Sequence, residues 1–104
     1  MSLQPMLEVV LFHVKPGVTD AQVLAASAKT QEWLAQADGY LARELSKDDE
    51  GQWVDIVHWR TLAAAQAAAE QMMHQPCAAD FMAIIDPERI TMLHVKQQQH
   101  FMLI

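Results

Sequence analysis

Asp55 and Trp59 stand four residues apart in the stretch WVDIVHW (residues 53–59), and an extended backbone puts both on one face with Trp53 and Val57. Val54, Ile56 and His58 take the other face. A strand with apolar side chains on both faces ordinarily omits a carboxylate, so Asp55 is the first candidate for chemistry. Glu8, in an apolar run near the N-terminus, and Met92 and His94, near the C-terminus, extend the set. An acid and an imidazole held together in an apolar cavity shift each other's protonation and give a base that works near neutral pH. On this reading Asp55 and His94 handle a proton, Glu8 orients one of them, and Phe12, Trp59, Phe81 and Met92 supply apolar walls for a small molecule. The same residues also fit a buried structural hydrogen bond between Asp55 and His94, or a position for one of them at a solvated sheet end.

The remaining reactive side chains point elsewhere. The five histidines, His13, His58, His74, His94 and His100, are not spaced at i, i+2 on a strand or i, i+4 on a helix, so no metal site is expected. His58 is expected to face the second helix and His13 to reach water at a strand end. Ser27 and Ser46 lack the sharp turn of a nucleophile, and Cys77, at a helix start, has no partner assignable from sequence. Arg43 anchors an anionic group if its register turns it inward, and otherwise joins Glu44 at a solvated edge. Trp33, Trp53 and the seven methionines read as core filling.

Positioning these residues requires a particular set of elements. MLEVVLFHVK (6–15) reads as a strand that stops at Pro16-Gly17. Thr19 and Gln22 form a capping box, and the stripe Val23, Ser27, Thr30, Leu34, Ala37 predicts a helix from about 20 to 37. GYLARELSK, the turn DDEGQ and WVDIVHWR read as a hairpin. TLAAAQAAAEQMM is strongly helical, Pro76 breaks it, and CAADFMAII continues as a short helix whose Phe81 can face inward. Asp86-Pro87 is expected to close that helix before a last strand, RITMLHVK. The order β-α-β-β-α-β is an α+β, ferredoxin-like unit: an antiparallel four-stranded sheet with helices on one face.

The 104 residues make one domain, with a core over about 6–96 and an apolar tail, 97–104. The formal charge of −6, with seven scattered Lys and Arg, argues against nucleic acid or an anionic membrane as partner. The lone cysteine excludes an intrachain disulfide and, with an N-terminal run too short for a signal peptide or span, leads to a cytoplasmic expectation. At 52% hydrophobic residues the chain has more apolar surface than one core needs. Strand one is apolar on both faces (Leu7, Val9, Leu11 and Val10, Phe12, Val14), so a second copy is expected to cover the helix-free face and close a barrel. The tail, Phe101 to Ile104, is expected to dock on its own sheet or on a partner's.

VVLFHVKPGVT, GYLARE, WVDIVHWRTLAAAQAA and the Pro-started helix before the last strand resemble the dimeric α/β-barrel superfamily, and within it the antibiotic-biosynthesis-monooxygenase-type proteins, over residues 6 to 96. The resemblance implies a homodimeric α/β barrel and, as one activity of the group, cofactor-free oxidation of phenols or quinols by O₂, with a small aromatic molecule as ligand. In such enzymes a polar residue, typically Asn, lies four positions before a Trp; Asp55 and Trp59 occupy that spacing here. The haem-degrading members place a Trp and a His where this chain has alanines. A non-catalytic barrel that binds a metabolite, or serves a structural role, is the other reading the resemblance allows.

Overall fold

The computed structural model describes residues 5–103, in the order β1 (Met6–Val14), α1 (Asp20–Leu34), β2 (Tyr40–Lys47), β3 (Trp53–Trp59), α2 (Leu62–Met72), α3 (Pro76–Ile84) and β4 (Ile85–Lys96). The strands form one antiparallel sheet in the order β2-β3-β1-β4. This is the ferredoxin-like arrangement, with its second helix broken in two at Pro76.

Local chemistry explains the boundaries. The Thr19 hydroxyl accepts from the Gln22 backbone N–H, and the Gln22 side chain accepts from the Thr19 N–H, closing the capping box. Helix α1 stops at Leu34, short of the expected Ala37, where Ala35 already caps the last turn. Strand β4 begins at Ile85, before the expected Arg89. It is an edge strand, and its pairing with β1 is irregular between Val14↔Ile85 and Phe12↔Ile90. Pro87 falls in that irregular stretch, where a missing N–H breaks no ladder bond.

The strand register sorts side chains into rows across the helix-facing side. Arg43, Val57, Glu8 and His94 form one row, and Leu45, Asp55, Val10 and Met92 form the next. Apolar clusters flank these two rows. One contains Met6, Leu34, Val57, Trp59, Ala65 and Ala68; the other contains Phe12, Val23, Trp53, Phe81 and Ile85. Phe12 stacks on Trp53 and meets Phe81 edge-on at centroid distances of 6.2 and 5.7 Å. The polar rows therefore cross the middle of a core that is apolar at both ends.

The opposite face carries Leu7, Val9 and Leu11 of β1, Val54 and Ile56 of β3, and Leu93 and Val95 of β4, with no helix of the described residues over it. His58 lies on this face and hydrogen-bonds Glu44 at 2.9 Å, which corrects the expectation that it faces α2. It alternates with Trp59 and Val57, and those two take the helix side. Phe101, Met102 and Leu103 are exposed, so these three residues do not dock on their own sheet; Ile104 lies outside the described residues. No helix among the described residues is long and apolar enough to cross a membrane.

Candidate functional site

A cavity of about 520 Å³ lies between the helix-facing side of the sheet and α1, α2 and α3. Its floor is Val10, Phe12, Val57 and Trp59. Ala68, Ala69 and Met72 of α2 and Ala78, Ala79 and Phe81 of α3 line its helical side. The small alanine side chains leave the space that larger residues would fill. Met73, Met82 and Met92 line the cavity and are exposed, which marks its mouth.

An ion pair and a carboxylate–imidazole hydrogen bond stand on this wall. The buried Asp55 accepts from Arg43 Nε at 2.9 Å and Nη2 at 2.8 Å, a bidentate fork. Arg43 Nη1 also donates to the Thr30 hydroxyl at 2.9 Å and to the Ser27 carbonyl at 3.2 Å. Thr30 thus occupies the buried stripe of α1 with its hydroxyl satisfying a guanidinium, while Ser27 contributes its backbone carbonyl. Arg43 turns inward and is not the solvated edge residue that sequence allowed as its alternative; its partner is Asp55, while Glu44 pairs with His58.

The second pair joins Glu8 Oε2 to His94 Nε2 at 3.0 Å across β1 and β4, which face each other in register. Asp55 and His94, expected as one acid–imidazole pair, lie on strands separated by β1 and take different partners. The separation follows from the strand order, which places β3 and β4 on opposite sides of β1. Of the expected residues, Glu8, Phe12, Asp55, Trp59, Phe81 and Met92 line the cavity together, and His94 reaches it through Glu8. Arg43 and Thr30 also line it.

Trp59, against the cavity, and Trp53 each hold a buried indole N–H without a partner among the described residues. A buried donor left unpaired costs roughly 1–3 kcal/mol. No group of three or more His, Cys, Asp or Glu that could hold a metal ion occurs among the described residues.

Residues 5–79 match the family model described as antibiotic biosynthesis monooxygenase. No curated protein matches the chain. Among solved structures, an asparagine-to-alanine variant of SnoaB, a cofactor-independent oxygenase from Streptomyces nogalater, superposes with a TM-score of 0.79 at 19% identity, covering 92% of this chain and 95% of its own. A protein of unknown function from Nitrosomonas europaea superposes at 0.72 with 16% identity, over 100% of this chain and 99% of its own. A heme-degrading protein from Mycobacterium tuberculosis superposes at 0.69 with 16% identity, over 96% and 98%. At these identities the likeness is one of fold.

Proposed function

The chain belongs to the antibiotic biosynthesis monooxygenase family, and from that premise we propose that it oxidises a small phenol or quinol with O₂, without a bound cofactor. The observation that carries the reading is the Glu8–His94 pair set against an otherwise largely apolar cavity. A carboxylate that orients an imidazole is an arrangement for moving protons, and histidine is the side chain that changes charge in the physiological range.

The chemistry balances with substrate and O₂ alone. The pair removes the phenolic proton, and the electron-rich ring carbon para to the oxygen bonds to O₂ to give a dienone hydroperoxide. Loss of the hydrogen on that carbon, with departure of the outer oxygen as water, leaves a quinone. All the electrons come from the substrate. The aromatic walls, Phe12, Trp59 and Phe81, hold the ring. Asp55 enters this scheme as a fixed wall residue, since Arg43 already occupies both its oxygens.

A second copy of the chain covers the open sheet face in this reading, because contiguous apolar surface of that kind marks an association site. Light scattering at micromolar concentration is expected to give a dimer, and Ile56→Asp to give a folded monomer; a wild-type monomer contradicts this part. The activity is tested by O₂ consumption of metal-stripped protein with a panel of polycyclic phenols and quinols, beside Glu8→Gln and His94→Ala. Turnover that falls in both variants supports the reading. No turnover across the panel, with all proteins folded, favours a non-catalytic barrel that binds a metabolite.

A further inference from the structure

We infer that Arg43 is a specificity-determining residue, which reads a neutral hydrogen-bond acceptor at the end of the ligand remote from the hydroxyl that meets Glu8; this rests on the cavity reading above. Arg43 carries five N–H groups. Nε donates to Asp55, one Nη2 hydrogen donates to Asp55, and the two on Nη1 are taken by Ser27 and Thr30. The second Nη2 hydrogen has no acceptor among the described residues. Its side chain is only 7% exposed yet lines the cavity, so bulk water is a poor partner for that donor.

The rows of the sheet set the spacing. Arg43, Val57 and Glu8 stand side by side on β2, β3 and β1. With strands about 4.8 Å apart, the backbone positions of Arg43 and Glu8 are separated by about 10 Å. The surface between them is apolar, formed by Val57 with Val10 beside it. The guanidinium leans from β2 toward Asp55 on β3, so a planar aromatic ligand on this apolar surface meets a donor on the β3 side and a carboxylate–imidazole pair on the other.

Charge decides what kind of acceptor fits. Arg43 and Asp55 together are neutral, and Glu8 adds a further carboxylate to the wall. An anionic group beside Arg43 would also sit near Asp55, whereas a ketone or quinone oxygen takes the free N–H without that repulsion. The ligand class is a neutral fused aromatic with a carbonyl at one end and an ionisable hydroxyl at the other.

Fluorescence titration with 6-acetyl-2-naphthol, 2-naphthol and 2-acetylnaphthalene tests this. The wild type is expected to bind 6-acetyl-2-naphthol about tenfold more tightly than 2-naphthol, the worth of one hydrogen bond from a charged donor. Arg43→Met/Asp55→Leu, which removes the pair while keeping the site filled, is expected to bring that ratio to about one. Arg43→Lys, which keeps the charge and loses the fork, lowers the ratio and serves alone if the double variant does not fold. A ratio near one in the wild type, or a ratio the Arg43 variants leave unchanged, overturns the inference while the cavity reading stands. Binding of none of the three probes overturns both.

Discussion

The two carboxylates of the cavity wall come from neighbouring strands and have opposite situations. Asp55 gives both oxygens to one guanidinium, which α1 holds from behind through Thr30 and Ser27. Glu8 makes one 3.0 Å contact with an imidazole on an edge strand. Side-chain exposures of 7% and 12% for Arg43 and Asp55, against 16% and 27% for Glu8 and His94, sharpen the contrast. A buried fork fixes geometry and resists change; a single, more exposed contact constrains its groups less, which is what the proposed proton transfer requires. Residue type alone does not separate structural from reactive acids, whereas the number and kind of their partners does.

Breaking the locked pair is expected to have the largest effect. Arg43→Ala strands Asp55 in the core and is expected to cost about 3–5 kcal/mol, while Arg43→Met/Asp55→Leu recovers most of that loss. Urea denaturation of both measures it, and equal losses in the two would mean that the pair contributes more than charge compensation. Next comes the entry of β2 beneath α2. Gly39 has φ +82, and a Cβ there would stand 2.5 Å from Ala64 Cβ. Gly39→Ala is expected to cost about 1–3 kcal/mol through backbone strain and displacement of α2.

The proton-handling pair should behave differently. Glu8→Gln is expected to change stability by only about 0–1 kcal/mol, as for partly exposed pairs, yet to abolish most O₂ uptake. A stability loss as large as that of Arg43→Ala would erase the contrast between the pairs.

The smallest effect lies outside the cavity, in the β2–β3 turn. Backbone N–H groups of Gln52 and Glu50, each 2.9 Å from Asp48 Oδ1, hold that carboxyl below the usual carboxylate range. A lowered folded-state pKa contributes stability above the ordinary carboxylate value and loses it as pH falls through the lowered one. Asp48→Ala should therefore be slightly less stable than wild type at neutral pH, with the gap closing in acid, in thermal melts at both pH values.

Much of the framework was legible because local signals agreed. The Thr19–Gln22 box, the break at Pro76 and the alternation in WVDIVHW each lead to the observed element. The Arg43–Asp55 pair was not legible, and the reason is one residue. Pairing of β2 with β3 shifts between Tyr40 and Ala42, so Leu41 is extra. Tyr40 reaches Gln31 and Trp59 on the helix side, and simple alternation from it would send Arg43 to the other face. The five-residue DDEGQ turn was the available signal: counting outward from Lys47↔Trp53 aligns Arg43 with Val57, beside Asp55. The Glu8–His94 contact depended likewise on the β1–β4 register, which no turn fixes in the sequence.

The central claim, that Glu8 and His94 take a proton from a bound phenol, is tested most directly by the absorption spectrum of 2-naphthol saturated with protein across a pH series. The naphtholate band is expected to appear at lower pH in the complex than in free solution, and this shift to vanish in Glu8→Gln and His94→Ala although both still bind the probe. Ionisation at the same pH as the free naphthol, or a shift that both variants retain, would contradict it.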